Sequence, residues 1–156
     1  MQVRDLTETE CQEVLQRLNL GRIACAKDNQ PYVVPAYFYL DGRYLYSFGT
    51  LGQKIEWMRA NPRVCVEVDE TTDGSHWTTV LAYGYYEELP DTPEHSEARQ
   101  RALALFQTRR AWWTPAAAKR GAREHHVPIV YRISITRLTG RRTSSVDSGS
   151  SVESGS

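Results

Sequence analysis

Residues 32–40 and 43–48 are two runs of alternating aromatic and aliphatic side chains, and only Asp41-Gly42 separates them. An Asp-Gly pair between two period-two runs is a strong short-range signal for a β-hairpin. It commits this part of the chain to antiparallel sheet. Pro35 lies inside the first run and has no N–H to give to a ladder, so that strand is expected at an edge, bulged or interrupted.

The same period recurs over residues 23–26, 63–68, 76–88 (with Gly84 at a bend) and 128–138, which brings the count to six strands. Helical patterns lie among them. Thr7-Glu8-Thr9-Glu10 has the form of a capping box, Cys11, Val14, Leu15 and Leu18 follow at helical spacing, and Asn19-Leu20-Gly21 reads as the stop. A second helix is expected over 51–60, with Leu51, Ile55 and Met58 on one face and Asn61-Pro62 ending it. Thr92-Pro93 opens a third that runs to about residue 106. Ala111-Trp112-Trp113-Thr114-Pro115 then interrupts, and a short Ala-rich helix follows. Hairpin-connected strands with interspersed helices predict a mostly β, α+β domain built as an antiparallel barrel or strongly curled sheet. It is expected over residues 1–142. Residues 143–156 are largely Ser and Gly, with VDSGS echoed as VESGS, and are read as a disordered tail.

The charge is formally zero but unevenly spread. Residues 99–142 carry 11 of the 19 Lys and Arg and one acidic residue, Glu124, whereas residues 1–98 carry 8 basic and 16 acidic ones. We read this as a basic face that meets the acidic half of the same or a neighbouring chain; a nucleic-acid surface over 99–142 is the outside alternative. Three cysteines (Cys11, Cys25, Cys65) without metal-type spacing suit reduced, packed thiols. No apolar run approaches the roughly 20 residues that span a bilayer, and residues 1–5 lack a signal-peptide pattern, so a cytoplasmic protein is expected.

One turn offers chemistry. In Thr50-Leu51-Gly52-Gln53-Lys54, Thr50 reads as a helix cap, Gly52 permits close backbone approach and Lys54 adds a cation, with the Ser47 hydroxyl nearby in sequence. Free N–H groups and the dipole at a helix start suit a phosphate. The alternative is an ordinary helix start with a solvated lysine. Other candidates are weaker: adjacent His125 and His126 point to opposite faces of any strand, His76 is a proton donor or merely a strand-start residue, and Glu67 faces solvent or an arginine.

The stretches GRIACAKDNQPYVVPAYFYLDGRYLYSFGTLGQKIEWMRANPRVCVEVDE, HWTTVLAYGYYEELP, AWWTP and PIVYRISITRLTGRR, taken together and in this order, resemble the flavin-binding split-barrel family of pyridoxamine 5'-phosphate oxidases, nearest its nitroimidazole-resistance branch. The resemblance implies a six-stranded Greek-key split barrel with flanking helices. It implies a homodimer that shares two FMN sites, with FAD, deazaflavin or haem as less favoured cofactors. It implies that Val33, Val34, Pro35 and Ala36 line the flavin ring, that Tyr46 and Ser47 contact the ribityl and phosphate portion, and that Gln53 and Lys54 hold the phosphate, with the Thr50 hydroxyl nearby in sequence as a further donor. It implies that Thr79 approaches from another strand; Trp112 and Trp113 are read either as simple dimer packing or, Trp113 above all, as covering the ring from the partner chain. The C-terminal Trp and Arg-Leu-His-type signature of the oxidase proper is not recognisable in YRISITRLTGRRT, so the resemblance points away from vitamin B6 oxidation. It implies an oxidoreductase acting on a small molecule with a nicotinamide or other donor. The alternative is a non-catalytic flavin, deazaflavin or haem-binding protein.

Overall fold

The computed structural model describes residues 2–108 and 128–144. In chain order these form β1 (Gln2–Asp5), α1 (Glu8–Arg17), β2 (Leu20–Lys27), β3 (Gln30–Tyr37), β4 (Tyr39–Asp41), β5 (Tyr44–Gly49), α2 (Gln53–Ala60), β6 (Arg63–Thr72), β7 (His76–Glu88), a 3-10 turn (Pro93–His95), α3 (Ser96–Gln107) and β8 (Ile129–Ser144). The described residues thus hold eight strands, not six. β1 is short and exposed and carries no apolar alternation, while the run over 32–40 is two strands broken at Phe38.

All eight strands belong to one antiparallel sheet in the order β3-β2-β6-β7-β8-β5-β4, and β1 also pairs with β8. The order contains a strong constraint. β3 and β4 lie at opposite ends of the sheet, yet only Phe38 separates them in sequence. The two ends must therefore meet at that residue, so the sheet curls round on itself into a split barrel. Phe38 N donates to Asn19 O (2.7 Å), Asn19 Nδ2 returns a bond to Phe38 O (2.9 Å), and Ser47 Oγ donates to Tyr37 O (2.7 Å). Pro35 does sit on an edge strand, since β3 pairs with β2 alone in the sheet order.

The turns follow their residues. Asp28 (φ 51°) and Asn29 (φ 64°) join β2 to β3 with two positive φ values, as type I′ hairpins require. Between β4 and β5, Asp41 faces Tyr44, so the central residues are Gly42 (φ 61°) and Arg43, one position later than the Asp-Gly pair suggested. Glycine takes the single position of positive φ.

Inside the barrel, Ile23, Leu45, Val66, Val80, Tyr131 and Ile133 form the core, and α1 adds Cys11, Val14 and Leu15. Burying each large aliphatic side chain is worth about 1.5–3 kcal/mol. The capping box of α1 is present: Glu10 N donates to Thr7 Oγ1 and Thr7 N to Glu10 Oε1. Arg4 of β1 grips the same Glu10 carboxylate and, with the Thr7 N–H, holds its pKa down to about 2. α1 ends at Arg17, with Leu18 as its cap in extended geometry. Gly21, expected to stop that helix, instead lies in β2, where an added Cβ would sit 2.8 Å from Glu67 O. A second cluster, including Tyr39, Tyr46, Leu89, Phe106 and Val130, forms under α3.

β8 runs to Ser144, two residues past the expected domain end at 142, and Thr143 is buried opposite Val3. The rest of the Ser/Gly tail, Trp112, Trp113, the Ala-rich segment, His125 and His126 lie outside the described residues. Several basic residues of the 99–142 segment meet carboxylates of the acidic half: Arg101 with Asp41, Arg132 with Glu87, Arg141 with Asp5 and Arg142 with Glu10. Among the described residues, no helix is long and apolar enough to cross a membrane, and no group of three His, Cys, Asp or Glu is placed to hold a metal ion.

The bend read at Gly84 is a register shift between Tyr83 and Gly84 against β8, and a Cβ on Gly84 would run into Ser134 O. Because the obstacle is backbone, relief requires the ladder to move. Gly84→Ala is expected to destabilise the fold by about 2–4 kcal/mol, read as a lowered urea midpoint with an unchanged slope. Gly74→Ala, in an open turn, serves as the comparison and should cost about 1 kcal/mol through its positive φ.

Candidate functional site

α2 begins later than its sequence suggested. Its cap is Gly52, in extended geometry and without a side-chain bond, so Thr50 does not cap the helix. Leu51 precedes the helix and is exposed, leaving Ile55 and Met58 as its buried face. Lys54 is the second helical residue, and its side chain folds back over the end of β5. A Cβ at Gly49 would lie 3.4 Å from Lys54 Nζ. The ammonium is 5.9 Å from the centroid of the Tyr131 ring, and Cys25 is an electrostatic neighbour. No carboxylate stands within salt-bridge distance of Lys54 among the described residues. Burial therefore pushes its pKa down, with Cys25 opposing weakly. Tyr131 is fully buried and its Oη has no hydrogen-bond partner among the described residues. Burial pushes this phenol up to about 12, while the nearby Ser47 hydroxyl pulls the other way. Ser47 faces Tyr131 across the β5–β8 ladder.

A second concavity lies on the outer face of the sheet. It is a groove of about 720 Å³ between β7 and β8, with Trp77, Thr79, Leu81 and Tyr83 on one wall and Arg137, Thr139 and Arg141 on the other. Arg137 lies over the Tyr83 ring at 5.5 Å and meets no carboxylate within salt-bridge distance among the described residues. Arg141 approaches Asp5 at 3.6 Å.

The family model described as pyridoxamine 5'-phosphate oxidase matches residues 7–142. The chain belongs to this family. A protein of Rhizobium meliloti (strain 1021) described as uncharacterized is 37% identical over 147 residues, covering 90% of this chain and 95% of that protein. The crystal structure of a FAD-binding protein from Mesorhizobium loti is similar at 44% identity, with a TM-score of 0.77 over 92% of this chain and all of that one. A candidate 5-nitroimidazole antibiotic resistance protein from Bacteroides thetaiotaomicron shares the fold at 15% identity and a TM-score of 0.63, over 91% of this chain and 89% of that one.

Within this member of the oxidase family, the residues expected at a cofactor fall into separate groups. Ser47 and Lys54 converge at the closed end of the barrel, with Cys25, Gly49 and Tyr131. On β3, Val34 and Ala36 turn toward the core, while Val33 and Pro35 face outward and are exposed. Tyr46 points to the opposite face of β5 from Ser47, into the cluster under α3, where its hydroxyl accepts from Arg132 Nη1 (3.4 Å). Thr50 is half-buried and Gln53 is exposed at the helix start. Thr79 lies in the outer groove, three strand spacings from β3, or roughly 14 Å. Trp113 is outside the described residues. Tyr131 was not anticipated; in sequence it is one more strand aromatic, and nothing local marks its hydroxyl as unpartnered. Glu67 does meet an arginine, Arg22 (3.2 Å), which also holds Asp69.

A clamp fixes the helix that carries Lys54. Arg59 donates to both oxygens of Glu88 (2.8 and 3.1 Å), and Tyr86 Oη donates to Glu88 Oε1 (2.7 Å). The Tyr86 ring in turn packs on Tyr131 at 5.2 Å, directly beneath Lys54. The Arg59 guanidinium keeps the Glu88 carboxyl below its ordinary value of 4.5. Above pH 4.5 both folded and unfolded chains carry the charge and the stabilisation is complete. As pH falls below 4.5 the unfolded chain takes its proton first, and the advantage is gone once the folded-state carboxyl is protonated. Glu88→Gln is therefore expected to cost on the order of 1 kcal/mol at pH 7. In denaturation measured across pH, the gap to the parent should narrow as pH drops from 4.5.

Proposed function

We propose that this chain binds a flavin, with its phosphate on Lys54, and acts as a flavin-dependent oxidoreductase on a small molecule. The observation that carries the reading is the Lys54 ammonium itself: half-buried beside the end of β5, over the Tyr131 ring at 5.9 Å, and faced by no carboxylate among the described residues. An ammonium taken from water without a counter-charge is costly, and an anion arriving beside it recovers that cost. The adjacent start of α2 adds backbone N–H groups. The 44% identical Mesorhizobium loti protein is FAD-binding, which supports a flavin here and leaves FMN and FAD both open.

The residues present fit such a group. Lys54 would neutralise the phosphate, Tyr131 would floor the cation, and Ser47 would keep β3 tied to β5 beside it. The inner side of β3, Val34 and Ala36, offers an apolar wall. The bound flavin would supply the hydride or electron transfer. Thr79, Val33 and Pro35 share the outer face, where Leu20, Tyr83 and Tyr85 are also exposed. A second copy packed on that face would cover these side chains and set Thr79 beside its partner's cofactor. We therefore propose a homodimer with shared sites, using a nicotinamide or other small donor.

The visible spectrum of the purified protein, before and after incubation with FMN and desalting, tests this reading. A retained flavin band is expected. Lys54→Glu should weaken FMN binding about 100-fold and leave riboflavin, which has no phosphate, nearly unchanged. Lys54→Met should lose FMN equally but melt at a higher temperature than the ligand-free parent, because the desolvated charge is gone. A colourless protein that also refuses FMN and FAD would overturn the proposal. Retained flavin without turnover above background by nicotinamide donors would favour a carrier.

A further inference from the structure

The outer face of the sheet carries a charge pattern with a symmetry of its own. Five strands lie side by side across it in the order β2, β6, β7, β8 and β1. In the ladder rows from Thr79 to Tyr83, β6 sets Glu67 and Asp69 opposite Leu81 and Thr79, and β2 sets Arg22 opposite Glu67. On the other side of β7, β8 sets Arg137 and Arg141 opposite Tyr83 and Thr79, and β1 sets Asp5 opposite Arg141. β7 itself turns no charged side chain to this face between Trp77 and Tyr85. From β2 to β1 the signs therefore run plus, minus, neutral, plus, minus. Reflection through β7 reverses every one of them.

Neither wing is balanced within the chain. Arg22 alone serves both Glu67 (3.2 Å) and Asp69 (2.7 Å), which leaves a negative charge in excess. Arg137 lies over the Tyr83 ring and meets no carboxylate within salt-bridge distance among the described residues, and Arg141 has the exposed Asp5 at 3.6 Å. That wing keeps a positive charge in excess. Between the wings the exposed rings of Tyr83 and Tyr85 offer apolar area.

Two copies related by a two-fold axis use the same patch, and for sheets packed face to face that axis lies in the plane between them. Two settings keep the strands aligned. With the axis across the strands, each strand lies over its own counterpart, so Glu67 and Asp69 meet carboxylates and Arg137 and Arg141 meet guanidiniums. With the axis along β7, β6 of one copy lies over β8 of the other and β2 over β1, so every charged strand meets its opposite. We infer that the second copy seats in this latter setting, with Arg141 and Arg137 of each copy over Asp69 and Glu67 of the other. The inference rests on the homodimer reading and adds what that reading leaves open: the orientation of the copies and the side chains that select it. Packed sheets stand about 10 Å apart, a gap that an arginine and a carboxylate from opposite walls span together. Thr79, next to the axis, is then equally distant from the cofactor sites of both copies. The charges choose the orientation, and the uncharged side chains along β7 supply the buried area.

Sedimentation of the full chain without added flavin tests this. The parent is expected to dimerise, with an affinity that falls as salt rises. Asp69→Arg and Arg141→Asp each set like charges against one another at both wings, so each should weaken the dimer at least tenfold. The variant carrying both changes again places opposite charges across the seam and should recover most of the parent affinity. An equimolar mixture of the two single variants should also dimerise, which a folding defect in either would prevent. Single reversals that leave the affinity unchanged overturn the inference, as does a double variant no tighter than the singles. A chain that stays monomeric at every concentration overturns it together with the homodimer reading, while the flavin spectrum tests Lys54 separately. A colourless protein whose dimer still obeys the charge exchange would sink the flavin reading and leave this one standing.

Discussion

A single residue between two opposite sheet edges governs this molecule. β3 and β4 can be neighbours in sequence and strangers in the ladder only if the sheet rolls until its ends touch at Phe38. The right-handed twist natural to strands favours that curl, and the bonds between Asn19, Phe38, Tyr37 and Ser47 secure it. The helices then have a cylinder to close rather than a plane to cover. The edges are also made safe. β3 carries Pro31 and Pro35, which remove two ladder donors from a strand that would otherwise offer itself to another chain.

The closed end is where the fold accepts an energetic loss. Half-buried Lys54 lies over the Tyr131 ring at 5.9 Å, and the buried Tyr131 hydroxyl has no hydrogen-bond partner among the described residues. A core optimised for stability would place Phe and a neutral side chain there. The polar groups left wanting a partner sit beside each other, at the start of a helix clamped by Arg59, Glu88 and Tyr86.

Much of the fold was legible because its strongest signals are local. The capping box of α1, the break at Asn61-Pro62 and the bend at Gly84 each depend on a few neighbouring residues. The errors came from non-local causes. Thr50 looks like a cap, but the chain continues to Gly52 before turning helical. Gly21 looks like a helix stop, but it is small because β6 passes close by. β1 has no pattern of its own and exists because β8 offers it an edge. Of the proposed site, the place of Lys54 at a helix start was legible, whereas Tyr131 became visible only when the barrel buried it. The split between Ser47 and Thr79 could not be seen either, since resemblance locates residues along a chain and not on which face they fall.

β8 lies inside the sheet, between β7 and β5, although it comes last among the described strands. Its first half pairs with β5, its second half with β1, and β7 runs along its other side. During synthesis, β1, β5 and β7 must wait for it, whereas β2, β3 and β6 can already pair. Until about residue 144 has left the ribosome, β5 and β7 both present open edges, and β1 has no partner. The longest-range contacts in the molecule are thus made at the last moment, which slows folding and exposes the nascent chain to wrong partners. The barrel can begin as hairpins but can close only once β8 is available.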